Sequence, residues 1–288
     1  MDIGEPSRTA QATAYARAYH QVADEPRIFT DPLAARLLGV TDAELVELDT
    51  ATMDHPGHAG ASNQPRRMFL AARARFAEDA VAAAAAAGVR QVVILGAGLD
   101  TFAYRNPYPE LRVFEVDHPA TQTWKRELLA AAGIELPETL TFVPVDFETQ
   151  TLGKELESAG LIRSEPAVFV WLGVIFYLTA EAITGTLEYV AGRAGSSELI
   201  FDYLQPAVSD EDRAAMQARA ERLAVFGEPW FSFFAPDEIA GRLRSLGFTR
   251  IEDHWAPDLI AAYLDGFDPT AETPAQVLRS SRILRASR

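Results

Sequence analysis

Five largely apolar segments lie in the chain after about residue 66, at 91–95, 113–117, 141–146, 167–172 and 198–203, of which 91–95 reads as a continuous run. Unbroken runs of this length suit strands buried on both faces of a parallel sheet, rather than half-exposed strands that alternate apolar and polar positions. Between them the apolar positions recur at helical spacing. Phe69, Phe76, Ala80 and Ala83 share one face of a helix that Gly88 stops. Pro119 suits the first turn of a helix with Trp124, Leu128 and Ala131 on its inner face, capped by one of Glu115 and Asp117. Pro144 is a blemish in the third run. A short helix is predicted over 150–159. Thr179 caps a helix with Ile183, Leu187, Val190 and Ala191 inside. A helix over 209–226 aligns Met216, Ala220 and Leu223. Pro236 opens another, with Ile239, Leu243 and Leu246 inside and Gly247 as its stop. Further strands are predicted at 249–255 and 282–286.

Strands alternating with helices define a doubly wound, mostly parallel α/β sheet of the Rossmann-like kind. Right-handed crossovers bring the C-terminal ends of the strands to one edge, where such sheets bind ligands. Residues 1–65 read differently: short helical patterns interrupted by Pro26, Pro32, Pro56 and Pro65, with a loop over 54–64. The expected organisation is a helical N-terminal cap over 1–65, then a Rossmann-like domain over 66–288 with an insertion on the ligand side at about 206–234.

Charge and composition narrow the partners. The formal net charge of −15 leaves no basic face for phosphates, which argues against nucleic acid and anionic membranes. The absence of cysteine rules out disulfides and thiolate metal sites, so no metal is expected. Met1 to Glu5 has neither the basic nor the apolar part of a signal peptide. The longest apolar stretch, 80–89, is about half of the ~20 residues a membrane span needs. A soluble, cytoplasmic protein is expected; its oligomeric state is left open.

The chemistry collects at the strand ends. The first strand runs into Gly96-Ala97-Gly98-Leu99-Asp100-Thr101. Glycines there let a ligand approach the backbone. A dinucleotide turn would read Gly-x-Gly-x-x-Gly and cradle a pyrophosphate. Here Thr101 replaces the third glycine, and Asp100 would repel an anion. Asp100 suits a cation or hydrogen-bond donor, such as the amino group or ribose hydroxyls of S-adenosylmethionine; the plainer alternative is a structural turn that it caps. Asp117 ends the second strand nineteen residues after Gly98, a spacing suited to ribose hydroxyls, with Glu115 on the same strand face. Asp146 and Phe147 end the third and suit an adenine amino group and ring, or else Asp146 caps a helix.

These residues carry a resemblance. The run 91–101, continued by Ala103-Tyr104-Arg105, resembles a signature of the leucine carboxyl methyltransferase family. Within it, the chain is most similar to a bacterial branch of O-methyltransferases that includes polyketide carboxyl methyltransferases. Ser7 to Ala10, Phe29 to Ala34, Arg73 to Asp79, Phe114 to Asp117, Trp171 to Val174, Gly227 to Trp230 and Leu246 to Phe248 agree with it. The resemblance implies a class I methyltransferase fold and S-adenosylmethionine as cofactor. It implies that Arg73 pairs with the cofactor's carboxylate, that Gly96, Ala97 and Gly98 line its methionine part, that Asp117 holds the ribose, and that Asp146 and Phe147 flank adenine. Many members carry a glutamate after the fourth strand; here Leu172 stands at that cofactor-side position, followed by Gly173.

The acceptor side reads less sharply. A carboxylate acceptor is already ionised near neutral pH and needs no base, whereas a phenol or alcohol would need one, usually histidine. His20, on a helix with Tyr15, Arg17 and Tyr19, is the candidate among five histidines; His55 and His58 (in the loop), His118 and His254 are expected to be solvated or structural. Tyr177 is a second catalytic candidate, and Tyr203 could also face the pocket. Trp230, Phe231, Phe233 and Phe234 suit an apolar or aromatic substrate, or plain core packing. Arg66-Arg67 reads as a solvated helix start. The expected activity is O-methylation of a small-molecule carboxyl or hydroxyl group, in secondary metabolism. Alternatives are methylation of a peptide or protein C-terminal carboxylate, a protein that binds the cofactor without turnover, and a nicotinamide-dependent oxidoreductase, which Asp100 and Thr101 disfavour.

Overall fold

A computed structural model of the chain describes residues 7–48, 63–147, 149–225, 229–264 and 276–288. Most of the 54–64 loop, His55 and His58, and the Gly227-Glu228 pair lie outside the described residues. Helices α1 (Arg8–Ala23), α2 (Ala34–Leu38) and α3 (Asp42–Leu48) precede the long α4 (Gln64–Ala86). Then follow β1 (Gln91–Leu95), α5 (Phe102–Arg105), β2 (Arg112–Asp117), α6 (Pro119–Ala131), β3 (Leu140–Pro144), α7 (Leu152–Ser158) and β4 (Ala167–Trp171). A 3-10 turn (Ile175–Tyr177) leads to α8 (Ala180–Ala191), β5 (Ser197–Leu204), α9 (Asp210–Val225) and α10 (Pro236–Ser245). The chain finishes with β6 (Arg250–Trp255), α11 (Ala256–Tyr263), α12 (Gln276–Arg279) and β7 (Ser281–Ser287).

The seven strands form one sheet in the order β3-β2-β1-β4-β5-β7-β6. Neighbours from β3 to β5 pair in parallel, and β7 pairs antiparallel with both β5 and β6. This is the mostly parallel, doubly wound sheet that the apolar runs predict. One face packs on α4, α5 and α11 through Phe76, Val92, Ile94, Val168, Ile200 and Leu259. The other packs on α7, α8 and α10 through Val93, Phe169, Leu187, Phe201 and Ile239. Burial on both faces is why β1 and β4 read as unbroken apolar runs. The strand order reverses between β1 and β4, which leaves a crevice at their C-terminal ends.

Several helix faces differ from expectation. In α6 the fully buried residues are Thr121, Gln122, Lys125 and Leu129; Trp124 and Leu128 are half-buried and Ala131 is exposed. Gln122 and Lys125 turn inward because the sheet supplies partners. Gln122 Nε2 donates to Glu115 O (2.9 Å) and Val143 O (3.1 Å), and Lys125 Nζ lies 2.7 Å from Glu115 Oε2. The cap of α6 is His118, whose Nδ1 accepts the Ala120 N–H, rather than Glu115 or Asp117. On α4 the inner position near the end is Ala84, and Ala83 is exposed. Leu246 is half-buried as the C-cap of α10, where Gly247 takes φ +93° as expected of a helix stop.

The pair at the start of α4 is also not a solvated one. Arg67 is buried, forks onto Asp24 (Nε to Oδ2 2.6 Å, Nη2 to Oδ1 2.8 Å) and stacks on the Tyr19 ring. Burial opposes ionisation of Asp24, but the hydrogen bonds and charges of Arg67 and His20 outweigh it and hold the carboxyl well below the usual range.

Candidate active site

The C-terminal ends of the parallel strands open into a cavity of about 350 Å³, the size of a small-molecule site. Four groups of residues meet there: the turn after β1, the ends of β2 to β5, the roof provided by α1 and α4, and a wall from the 3-10 turn after β4 and residues 229–231.

The turn is shaped by its glycines. Gly96 and Gly98 take φ +64° and +45°, which side-chain-bearing residues rarely adopt. A Cβ on Gly96 would lie 2.3 Å from Val174 Cγ2, and one on Gly98 would lie 3.0 Å from Ala10 Cβ on α1. The cap helix is thus laid directly on the turn. Arg17 of α1 reinforces this contact: its Nη2 donates to Leu99 O (2.5 Å) and its Nη1 lies 3.7 Å from Asp100 Oδ2. Asp100 Oδ1 accepts the Phe102 N–H at 2.8 Å, so the capping expected of a structural turn is present while Asp100 also lines the cavity.

Asp117 is buried at the mouth of β2. Its Oδ2 accepts the Gly98 N–H and its Oδ1 the His118 N–H, each at 2.6 Å. Burial raises its pKa, partly offset by these two donors. The carboxylate is therefore fixed in direction, and each oxygen retains acceptor capacity. Glu115, on the same face, does not line the cavity: it is buried against Lys125 and the Tyr104 hydroxyl, and burial pushes it up to about 7. Asp146 and Phe147 line the cavity beside it, with Asp146 Oδ2 accepting the Thr149 hydroxyl at 2.9 Å. Ala97 and Leu172 also line it.

Arg73 reaches the cavity from α4. Its guanidinium forms an ion pair with Asp202 of β5, a residue that the sequence pattern did not single out. An acid flanked by Phe201 and Tyr203 in the apolar stretch of the strand, at the edge where ligands bind, is the signal that could have found it. Arg66, about two turns earlier on α4, lines the same wall; burial and the nearby Arg73 lower its pKa, with Tyr177 opposing.

The far half of the cavity is aromatic. Phe176 packs edge-on against Tyr177 (4.7 Å between centroids) and Trp230 (6.0 Å), and the Arg219 guanidinium of α9 lies 4.9 Å over Trp230. Tyr177, Tyr203, Trp230 and Phe231 line this half. Phe233 does not, and Phe234 is part of the core.

His20 is corrected by the structure. It is fully buried outside the cavity, Nδ1 lies 2.8 Å from Asp24 Oδ2, and Nε2 accepts the Ile28 and Phe29 N–H groups. With both ring nitrogens committed to holding the cap together, it has no nitrogen to offer a substrate. His254 is also outside, stacked edge-on with Phe76 and 2.7 Å from Glu252. His118 lines the cavity but serves as a cap.

The sheet order, the glycine turn after β1 and the acid ending β2 define a Rossmann-like fold of the class I methyltransferase kind. The family model for leucine carboxyl methyltransferase matches residues 10–191, and the chain belongs to that family. A Bacillus subtilis (strain 168) protein named as a candidate S-adenosyl-L-methionine-dependent methyltransferase, YktD, is 32% identical over 285 residues, covering 90% of this chain and 91% of that one. A Mycobacterium sp. (strain KMS) protein with the same description is 36% identical over 222 residues, covering 75% and 70%. Among solved structures, a candidate methyltransferase from Thermobifida fusca YX superimposes with a TM-score of 0.58 over 99% of this chain and 96% of that one, at 18% identity. A DUF574 family protein from Streptomyces avermitilis MA-4680 gives 0.52 over 88% and 96%, also at 18% identity. These two share the fold.

Replacing Gly96 by alanine places a methyl against Val174 and strains the turn. The expected result is donor binding weakened at least about tenfold with the fold retained, read by titration with S-adenosylhomocysteine and by circular dichroism.

Proposed function

We propose that this methyltransferase uses S-adenosylmethionine to methylate an oxygen, carboxyl or hydroxyl, of a small apolar or aromatic molecule. One observation carries the reading: a single cavity joins the glycine turn and Asp117 at one end to the Phe176, Tyr177 and Trp230 wall at the other.

The residues present fit the cofactor. The Gly96 and Gly98 positions, where a Cβ would meet Val174 or Ala10, give a backbone surface for the methionine part. Asp117 would offer its fixed carboxylate to the ribose hydroxyls, Asp146 and Phe147 would flank adenine, and Arg73 would pair with the donor's carboxylate. Leu172 also lines the site. When bound, the sulfonium supplies an activated methyl group. The chain's own task is alignment and exclusion of water, and alignment alone can lower a barrier by ~7–11 kcal/mol. The aromatic wall holds the acceptor's apolar body. Tyr177, beside Arg66, orients the acceptor oxygen, and a carboxylate there needs no proton removed.

The test is incubation with methyl-labelled S-adenosylmethionine and a panel of aromatic carboxylic acids and phenols. Label in a base-labile ester indicates a carboxyl acceptor, and label in a base-stable ether a hydroxyl. Label on nitrogen, or on none of the panel or of the chain's cellular small molecules, contradicts the reading. With an acceptor in hand, Trp230→Ala is expected to raise the acceptor KM about tenfold while leaving the donor Kd within twofold, since Trp230 belongs to the far half only.

A further inference from the structure

Asp202 is the one buried acid of β5, and its two oxygens are committed to two different parts of the cavity wall. Oδ2 takes the Arg73 guanidinium, and Oδ1 takes the Gly173 N–H at 2.5 Å. Gly173 sits at φ +74°, and a Cβ there would lie 3.1 Å from Arg73 Nη2. Three groups from three elements, the end of β5, the loop after β4 and the middle of α4, are thus packed as a unit. All three line the cavity.

Two consequences follow from elementary geometry. A guanidinium has five N–H donors in a planar fork, so anchoring one arm on Asp202 fixes the direction of the rest without exhausting them. In a trans peptide the N–H and C=O point opposite ways, so turning the Gly173 N–H onto Asp202 turns the Leu172 carbonyl away from it. A single carboxylate therefore sets the direction of a cation and of a backbone acceptor. Together those are complementary to a zwitterion bearing a carboxylate and an ammonium on one carbon.

We infer that Asp202 is a positioning residue for the α-amino-acid end of the methyl donor: it aims Arg73 at the donor's carboxylate and the Leu172 carbonyl at its ammonium. This rests on the donor being S-adenosylmethionine. It also gives position 172 a role that its leucine side chain lacks, because the backbone carbonyl does the binding. As a positioning residue, Asp202 acts through Arg73 and Gly173.

The experiment compares two ligands of the full chain by calorimetric titration: S-adenosylhomocysteine, which has the amino-acid end, and 5′-methylthioadenosine, which lacks it. Asp202→Asn keeps an acceptor for Gly173 and removes the charge that anchors Arg73. It is expected to weaken S-adenosylhomocysteine at least about tenfold, as loss of a charge-assisted contact does, and to leave methylthioadenosine within about twofold. Arg73→Ala should give the same pattern, and the double variant should be no worse than Arg73→Ala alone, because the two act as one unit. Gly173→Ala, which pushes on Arg73 from the other side, offers a second route to the same loss of selectivity. If Asp202→Asn leaves S-adenosylhomocysteine binding unchanged, or weakens both ligands equally, the positioning role is overturned while the cofactor assignment stands. If the unaltered chain binds neither ligand, the cofactor assignment fails and this inference with it.

Discussion

Arg67→Ala is expected to destabilise the fold by about 3–5 kcal/mol, the usual cost of removing one partner of a buried ion pair. Arg67 is 4% exposed and Asp24 5%. Without the guanidinium, Asp24 would keep His20 as its one side-chain partner among the described residues, and His20 in turn holds the Ile28 and Phe29 N–H groups. The loss would therefore spread from α4 into the segment after α1, and α1 is the roof of the cavity. Urea unfolding followed by circular dichroism measures it. The same cluster sets a pH dependence. The folded Asp24 titrates far below its unfolded value, so its contribution is complete above about pH 4 and falls away as the pH drops further. The stability gap between the unaltered chain and Asp24→Asn should be full at pH 6 and narrow at pH 3. An equal gap at both values would show that Asp24 is not stabilised as a carboxylate.

Asp117→Ala is expected to weaken donor binding at least about a hundredfold, since hydrogen bonds to a charged group contribute about 1.5–3 kcal/mol each and two ribose hydroxyls are in question. A second effect acts in the same direction. Asp117 Oδ2 holds the Gly98 N–H at 2.6 Å, so its removal also releases the glycine turn from the end of β2. Asp117→Asn retains the size and part of the hydrogen bonding, and its loss should be nearer tenfold. Titration with S-adenosylhomocysteine reads both. Glu115→Gln is the contrast: Glu115 faces Lys125 away from the cavity, so that change should alter stability and leave donor affinity within about twofold.

The parts of the fold that were legible in the sequence are those written in apolar periodicity. β1 and β4 are buried on both faces and read as unbroken runs, and the cap of α8 read directly from Thr179, whose hydroxyl accepts the Ala182 N–H. The strand ends followed from the parallel topology. Hence Gly96, Gly98, Asp117, Asp146, Phe147 and Leu172 all line one cavity.

What the sequence concealed are polar side chains whose partners come from distant positions. Gln122 and Lys125 look like the solvated face of α6 until β2 places Glu115 beneath them. Arg67 looks solvated until Asp24, 43 residues away, meets it. His20 reads as a free base although its partners are near in sequence, a side chain one turn on and backbone N–H groups eight and nine residues away, because helical periodicity does not show that the chain after α1 doubles back onto it. Asp202 and Arg73 are 129 residues apart, and no local pattern joins them. Helix α11 was also missed: the expected strand over 249–255 was followed by no assigned element, although Pro257 suits a first helical turn.

The central claim is that this cavity holds S-adenosylmethionine by the turn after β1 and the acid after β2. Its most direct test is a calorimetric titration of the purified chain with S-adenosylmethionine, run beside NADH and repeated with Asp117→Ala. The account predicts one site of micromolar affinity for S-adenosylmethionine, no heat with NADH, and loss of the site in the variant. Binding of NADH instead, or S-adenosylmethionine binding that survives Asp117→Ala undiminished, would contradict it.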